Sequence, residues 1–528
     1  MLSSAYVGII RIRLKGQRLF ALISAELIST PEVNIQFGLF LLYIFSFPLS
    51  SVIDFLTNSD IIKCQIISLC IGGNAMSTIA AISTPQAAGG LGVIRISGED
   101  AIEIASRVFR AKNGLDLRRL QGYRATLGMV ETNGEATDEA VCLVFRAPKS
   151  YTGENVVEFS CHGGLFVLQK VLRAVLDAGA VPAKAGEFTR RAFLNGKMDL
   201  TEAEAVMGLI SAQGEQAAKA ALSALDGALS KKLNEINANI IKVCASLSAW
   251  VDYPDEDIEE ISEKEIKSVF SEAKAELDLL LSQFDAGQAI TEGVSTAIVG
   301  KPNVGKSTLM NMLTGYNRSI VTSVAGTTRD VVEETVRFGD VVLRLADTAG
   351  IHSTDDEVES IGVDMAKQKI ERASLVLAVF DVSRETNEED EEIINCCKGK
   401  TCVAVLNKSD LPKKMNTDLI YKSFDNVVAV CADNGNGYDE LKKTVEKILG
   451  TDKIDTSAAL LTTERQRIGA VKAAECLDEA IDALDSGLTL DAVNVSADCA
   501  VQALLELTGE KASERIVDEV FANFCVGK

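Results

Sequence analysis

The sequence predicts an α/β nucleotide-binding domain inserted into an α-helical domain, with a smaller α+β domain before both. Three observations support this fold class. Apolar strands alternate with helical segments between 291 and 452, and a glycine-rich phosphate motif lies among them. Long helical segments flank that region on both sides. Short strands mixed with two helices precede them, between 76 and 195.

The first 75 residues differ from the remainder of the chain. They contain an uncharged stretch, 33–53, that approaches the roughly 20 residues a membrane span requires. Asn34, Gln36 and Pro48 weaken that interpretation, and the stretch lies too far along the chain for a simple signal peptide. We expect 1–75 to be a disordered extension upstream of a natural start at Met76. A membrane anchor is the alternative.

The region 76–195 has the pattern of a compact α+β domain. Its strand-like runs alternate with two helical stretches, and glycine-rich or polar turns separate them. The expected strands are 78–82, 92–96, 140–145 and 156–160, and the expected helices are 101–109 and 165–178.

The helical domain is predicted in two halves, 196–290 and 453–528. Thr201 and Glu204 have the spacing of a capping box, which would open a helical region that runs to about 288. Pro254 interrupts it, because proline breaks a helix interior. A second helical block begins near Thr462.

The segment Gly300-Lys301-Pro302-Asn303-Val304-Gly305-Lys306-Ser307 is a phosphate-binding loop. Glycines let backbone N–H groups close around phosphate oxygens, Lys306 reaches the β- and γ-phosphates, and the Ser307 hydroxyl is placed for Mg²⁺. A strand at 295–299 precedes the loop and a helix follows it, which is the context that this motif requires.

Three further motifs follow in a fixed order: GTTRD at 326–330, DTAG at 347–350 and NKSD at 407–410. A strand at 341–346 delivers Asp347 to the magnesium side of the site, and Gly350 can approach the γ-phosphate. A strand at 375–380 fills the sheet between them. Four motifs in this order predict a GTP site.

Guanine specificity is assigned to Asp410, which follows a strand at 401–406. Its carboxylate can accept from both N1–H and the exocyclic amine of guanine, which adenine does not offer. Cys431-Ala432 stands where a Ser-Ala pair is usual in the base-specificity loop. The predicted GTP-binding residues are Asn303, Val304, Gly305, Lys306, Ser307, Thr308, Thr322, Ser323, Val324, Ala325, Gly326, Thr327, Thr328, Asp347, Thr348, Ala349, Gly350, Asn407, Lys408 and Asp410.

The residue after DTAG is Ile351, whereas Ras-type GTPases have a glutamine there that orients the attacking water. Water positioning and charge neutralisation must therefore come from other groups. Asn303 and the segment 322–327 offer oxygens for a monovalent cation beside the phosphates, which would do the work of an arginine finger. The acidic run 355–359 either orients water or forms a solvated face.

The net charge of −22 disfavours a large basic nucleic-acid surface on this chain. If the protein acts on nucleic acid, a partner supplies most of the binding surface. The twelve cysteines show no metal-binding spacing and there are only two histidines, which argues against a zinc site. Free thiols of this kind indicate a reducing cytosol and thus a cytoplasmic protein.

Five segments together carry a family resemblance: 92–98 (GVIRISG), 151–154 (YTGE), 161–164 (CHGG), 186–197 (GEFTRRAFLNGK) and 524–528 (FCVGK). They resemble the tRNA-modification GTPase family MnmE, also called TrmE, in order from Met76 to Lys528. Val526 departs from the isoleucine usual in the family, which removes only one methylene. The resemblance implies an α/β P-loop GTPase domain inserted in an α-helical domain, preceded by an α+β folate-binding-like domain.

The resemblance also implies a function. The protein would hydrolyse GTP and, with the flavoprotein MnmG (GidA), add an aminomethyl or carboxymethylaminomethyl group to C5 of the wobble uridine of certain tRNAs. A tetrahydrofolate derivative, 5,10-methylene- or 5-formyl-tetrahydrofolate, would supply the carbon. The expected assembly is a homodimer within a heterotetramer. tRNA would bind mostly through the partner, and no stable membrane association is expected.

Site residues carried over by the resemblance fall in both domains. The folate contacts would be Arg95, Glu158, Lys197 and Lys528; by themselves, Arg95 and Glu158 would equally be surface charges or a structural ion pair. Cys525 is either a thiolate or proton carrier in the modification step or a small packing residue. In the GTP site, the resemblance assigns K⁺ to Asn303, Thr322, Val324 and Thr327, Mg²⁺ to Ser307 and Thr328, and orientation of the hydrolytic water to Glu359.

Two other function classes share some of these features. A ribosome-assembly GTPase of the Era or Der type has all four GTP motifs, but it should carry a basic RNA-binding module, which this acidic chain does not show. A membrane-attached GTPase would use 33–53 as its anchor.

Overall fold

A computed structural model describes residues 8–14, 17–23, 76–132, 134–252, 262–315, 334–345, 368–522 and 524–528. The chain divides into two units, Met1–Ser77 and Thr78–Lys528. In the first unit, strands β1 (Gly8–Leu14) and β2 (Gln17–Ile23) pair antiparallel. The stretch 33–53 lies outside the described residues. Within the described ranges, no helix is both long and apolar enough to cross a membrane.

The second unit begins with a seven-stranded sheet and two helices. The sheet order is β5-β6-β7-β8-β4-β3-β9, and neighbours are antiparallel except β3 and β9. The four predicted strands and both helices are confirmed, and β5, β6 and β9 are present in addition to them. The elements are β3 (Ile79–Ile82), β4 (Leu91–Ser97), α1 (Ala101–Val108), β5 (Phe109–Ala111), β6 (Arg124–Thr132), β7 (Glu135–Phe145), β8 (Val156–His162), α2 (Leu165–Asp177) and β9 (Val181–Pro182).

Alternation along β4 decides which side chains leave the core. Ile94 and Ile96 are fully buried in the cluster that includes residues of α1 and α2, and Arg95 between them points to the other face. Arg95 is also the register partner of Glu158 on β8. The period of the strand therefore places two opposite charges side by side on the face turned away from α1 and α2.

A helical region follows the seven-stranded sheet. Its helices are α3 (Glu187–Leu194), α4 (Leu200–Ser211), α5 (Glu215–Leu225), α6 (Ala228–Asp252), α7 (Glu263–Ser282) and α8 (Phe284–Thr291). The capping box that opens α4 differs from the prediction. Asp199 is the N-cap, with Glu202 as its partner, because D-x-x-E and T-x-x-E overlap here. Thr201 instead bonds Asp199 and Ser230, and Glu204 pairs with Arg465.

The nucleotide domain has a six-stranded sheet in the order β11-β12-β10-β13-β14-β15. All neighbours are parallel except β11 and β12. Continuous apolar runs such as β13 are buried on both faces, as helices on both sides require. The elements are β10 (Val294–Val299), α9 (Lys306–Gly315), β11 (Glu334–Phe338), β12 (Val341–Leu345), β13 (Leu375–Asp381), α10 (Glu388–Cys396), β14 (Cys402–Asn407), α11 (Thr417–Ser423), β15 (Val427–Ala429) and α12 (Tyr438–Leu449).

Three helices complete the chain: α13 (Glu464–Asp485), α14 (Leu490–Thr508) and α15 (Glu514–Ala522). Residues of α6 and α7 share one hydrophobic core with residues of α13 and α14. The two helical segments thus form a single domain, and the insertion of the nucleotide domain between them is confirmed. Cys476 on α13 and Cys499 on α14 lie side by side, with their Cα atoms 5.9 Å apart.

Candidate functional site

The phosphate loop connects β10 to α9. Asn303 and Gly305 have positive φ angles of 63° and 95°, so the chain turns sharply between the strand and the helix. A Cβ on Gly305 would lie 2.3 Å from the side-chain nitrogen of Asn407, so only glycine fits this position. The predicted strand, loop and helix are all present, and Ser307 and Thr308 lie in the first turn of α9.

The ammonium group of Lys306 is hydrogen-bonded to the backbone of the phosphate loop. Its Nζ donates to the carbonyl of Gly300 at 2.8 Å and to the carbonyl of Lys301 at 2.9 Å. Burial lowers the pKa of the ammonium group, and the nearby positive charge of Lys369 lowers it further. Phosphate oxygens would replace these neutral carbonyls with charged acceptors, which bind an ammonium group more strongly.

The NKSD motif is bonded directly to this loop. Asn407, at the end of β14, donates from Nδ2 to the carbonyl of Val304 at 2.9 Å and accepts from the amide of Ala432 at 3.1 Å. Lys408 donates to the carbonyl of Asn303 at 3.0 Å. The base-specificity motif therefore also fixes the shape of the phosphate loop.

Asp381 is a further residue of this site, which none of the sequence motifs includes. Its side chain is fully buried at the end of β13, where its Oδ2 accepts from Lys408 Nζ at 2.6 Å and its Oδ1 accepts from the amide and hydroxyl of Ser383. Burial opposes ionisation, but the bonds from Lys408 and Ser383 prevail and lower the pKa of the carboxyl. Asp381 is the register partner of Asn407, so an acid closing the strand beside NKSD was the available signal.

Asp410 lies beyond β14 on the exposed side of the motif. Next to it, Cys431 is buried, and burial together with a hydrogen bond to Asp410 raises the pKa of its thiol. The thiol of Cys431 therefore stays protonated and contacts the carboxylate that is predicted to read guanine. Cys431-Ala432 is the pair that stands in place of the usual Ser-Ala.

The remaining predicted nucleotide residues lie outside the described part of the chain, so their assignments stay predictions. They are Thr322, Ser323, Val324, Ala325, Gly326, Thr327, Thr328, Asp347, Thr348, Ala349, Gly350 and Glu359.

A second cluster of charges lies on the seven-stranded sheet. Arg95 donates from Nε to Oε1 of Glu158 at 2.8 Å and from Nη1 to the carbonyl of Gly527 at 3.2 Å. The guanidinium lies 5.6 Å from the ring centre of Tyr151 and 5.5 Å from that of Phe188. A cation, a carboxylate and two aromatic faces thus meet at one place.

The segment 524–528 folds against this cluster. The amide of Gly186 donates to the carbonyl of Cys525, and the amide of Phe188 donates to the carbonyl of Lys528, both at 3.3 Å. Burial and the charge of Arg95 lower the pKa of the Lys528 ammonium, against the opposing effect of Glu158. The structure therefore brings together three of the four predicted folate contacts.

Lys197 and Cys525 were also assigned to this region, and neither is part of the cluster around Arg95. Lys197, the fourth predicted folate contact, directs its Nζ to the carbonyl of Pro148 at 3.3 Å. Cys525 is exposed, which does not favour a packing role for its side chain.

Comparisons with known proteins match the N-terminal α+β domain and the region that follows it. Residues 78–197 match the family model described as "GTP-binding protein TrmE N-terminus", and residues 200–525 match "MnmE helical domain". The chain is 38% identical over 454 residues to the "tRNA modification GTPase MnmE" of Clostridioides difficile (strain 630), covering 85% of this chain and 99% of that protein.

A second relative with the same description comes from Thermoanaerobacter pseudethanolicus (strain ATCC 33223 / 39E). It is 39% identical over 459 residues, which is 85% of this chain and 99% of the relative. Because the matches extend through the regions on both sides of the nucleotide domain, they decide against a ribosome-assembly GTPase of the Era or Der type. The chain is a GTPase and belongs to the family of the tRNA modification GTPase MnmE.

Proposed function

We propose that the protein couples GTP hydrolysis to addition of an aminomethyl or carboxymethylaminomethyl group to C5 of the wobble uridine in tRNA. It does so with a flavoprotein partner, MnmG, and takes the carbon from a tetrahydrofolate derivative. The cluster of Arg95, Glu158 and Lys528 is the observation that supports this function best, because a GTPase that is only a switch does not require it.

The donor set of that cluster fits a folate. The Glu158 carboxylate can accept from the aminopyrimidine edge of a pterin, and Arg95 and Lys528 can bind the carboxylates of a glutamate tail. Tyr151 and Phe188 offer ring faces beside these charges. The folate would supply the one-carbon unit when bound. Without it, Arg95 and Glu158 neutralise each other, so the charges do not stay unpaired.

One face of the seven-stranded sheet, the face turned away from α1 and α2, favours a homodimer. On one row across the strands, Val93 pairs with Ser160, Ser160 with Val141, and Val141 with Leu127. Leu127 is 45% exposed and Val141 is 40% exposed, whereas the opposite face of the same strands is buried. The exposed Leu127 and Val141 on this row suit burial against a second copy of the chain. The row lies on the same face as Arg95 and Glu158.

The remaining partners follow from charge. With a net charge of −22, the chain offers little to a tRNA backbone, so the flavoprotein in a heterotetramer would supply most of the contact to tRNA. The proposed site of action is the cytoplasm.

Deleting the gene, in cells without a second copy, is expected to remove the C5 modification from wobble uridine, as measured by nucleoside analysis of total tRNA. Complementation with Arg95→Gln should fail to restore it, because the folate tail loses a charged partner. Arg173→Gln, which removes an exposed arginine of the same domain, should restore it. Tm and the circular dichroism spectrum of each purified variant verify its folding.

Two results of this experiment would count against the proposal in different ways. Unchanged modification in the deleted cells would refute the whole function. Full restoration by Arg95→Gln would refute only the folate assignment.

Hydrolysis of GTP is expected to be about tenfold or more faster in K⁺ than in Na⁺, because the cation replaces an arginine finger, which is worth at least that much. The proposed ligands are Asn303, whose side chain is exposed at the loop, together with Thr322, Val324 and Thr327. Mg²⁺ would be held by Ser307 and Thr328. Steady-state rates at equal ionic strength test this directly, and equal rates in the two salts would remove the cation from the mechanism.

The same assay tests Glu359, the proposed water-orienting carboxylate. Glu359→Ala should lower kcat in K⁺ with little change in the KM for GTP, because water is positioned only in the hydrolytic step. An undiminished kcat would refute this role.

A further inference from the structure

Lys301, the second residue of the phosphate loop, is tied to α10 by a buried ion pair. Its Nζ lies 2.6 Å from Oδ2 of Asp390, and the two side chains are 8% and 1% exposed. Asn387 Oδ1 accepts a further bond from the same ammonium at 3.2 Å. Buried charges at this spacing fix their backbones relative to each other, because separation would leave each charge buried and unpaired.

Asp390 is itself held in place by capping bonds at the N-terminus of α10. Its amide donates to Asn387 Oδ1 at 3.2 Å, and the amide of Asn387 donates to Asp390 Oδ2 at 3.2 Å, which is a capping box. The oxygen that receives the Asn387 amide is the one that receives Lys301. The carboxylate therefore cannot turn away from Lys301 without giving up its capping bond.

We propose that Asp390 is a positioning residue for GTP, which acts through Lys301 by fixing the first half of the phosphate loop. The second half is already held at Asn303 and Val304 by the bonds from the NKSD motif. The first half carries the carbonyl of Lys301, which receives the Lys306 ammonium. The pair with Asp390 keeps that end of the loop in the shape that surrounds phosphate.

A general contribution to folding is the competing explanation, and kinetics separates the two. Loop amides contact the phosphates in the ground state and in the transition state alike. A loosened loop should therefore raise the KM and the Kd for nucleotide while leaving kcat nearly unchanged. A folding contribution alone would lower Tm and the active fraction without changing the Kd of the folded protein.

The test uses the full chain with Asp390→Asn, which keeps the shape of the side chain but removes its charge. We expect the Kd for GDP and the KM for GTP to rise about tenfold and kcat to stay within about twofold. Glu391→Gln is the matched control, because it removes an exposed carboxylate from the same helical turn. Its Kd should match that of the parent protein, and Tm of both variants reports on folding.

Substitutions at Lys301 keep the proposal testable if Asp390→Asn folds poorly. Lys301→Met should reproduce the rise in Kd. Lys301→Arg retains the ion pair, so the Kd of that variant should stay close to the parent value. Lys301→Met combined with Asp390→Asn should be no worse than either single variant, since both break one interaction. Unchanged Kd values in the single variants, additive effects in the double variant, or a fall in kcat at constant KM would each overturn the proposal.

Discussion

Asp410→Asn is expected to weaken GTP binding by roughly a hundredfold or more, because the nucleotide loses a charge-assisted bidentate contact worth about 3 kcal/mol or more. An asparagine amide presents one acceptor and one donor, so one of the two guanine donors would face an N–H group. Xanthine carries a carbonyl where guanine has its amine, and it would accept from that N–H. The variant should therefore prefer XTP, as direct competition between labelled nucleotides would measure.

Asp425→Asn is the control for this change, because it neutralises an exposed carboxylate of the same domain. Undiminished GTP affinity in Asp410→Asn, or equal losses for GTP and XTP, would show that another group reads the base. Because Cys431 contacts Asp410, Tm of the variant should also be measured.

Lys306→Met is expected to lower kcat/KM for GTP by about a thousandfold, through loss of a preorganised charge at the transferring phosphoryl group. The reason lies in the position of the ammonium. It is half-buried, and its acceptors are the two carbonyls of Gly300 and Lys301, so it stands at the phosphate position before the nucleotide arrives. A charge fixed in advance does not have to reorganise in the transition state.

Single-turnover hydrolysis together with nucleotide titration would check this prediction, because it separates the chemical step from binding. Lys413→Met, at an exposed lysine of the same domain, should hydrolyse GTP at the parent rate. A loss in Lys306→Met no larger than that of the control would exclude Lys306 from the reaction.

The parts of the nucleotide site that were predictable from sequence are those that lie close together along the chain. The phosphate loop contains its turn, its glycines and its lysine within eight residues, and Asp410 lies within the four residues of NKSD. Each motif carries a complete local reason for its composition. Strand and helix periodicity then placed these motifs at the carboxyl ends of parallel strands, as the sheet confirms.

The supporting contacts were not predictable, because they join residues far apart in sequence. Asp381 meets Lys408 across neighbouring strands, and Lys301 meets Asp390 across 89 positions. Asp390 does not stand out locally because it lies within an acidic run, and Asp381, which closes an apolar strand, gives no local sign of the lysine it meets. The same limit applies to Arg95 and Glu158, whose pairing depends on the register of β4 and β8.

Overlapping local signals account for the error at α4. Asp199 and Thr201 both have an acid three residues later, and sequence alone does not rank them. In the fold, Glu204 is drawn away to Arg465 on α13, so Asp199 and Glu202 remain to form the cap. Tertiary context made this choice, as it also brought Cys476 next to Cys499.

The shared core of α6, α7, α13 and α14 also constrains how the protein can be made. When α7 leaves the ribosome, the helices that will cover its apolar face have not been synthesised. The intervening chain, from Ser282 to Glu464, takes on the order of ten to forty seconds to translate. The nucleotide domain therefore emerges and folds while the helical core is still open. During that interval, the apolar faces of α6 and α7 lack their final partners and are prone to aggregation.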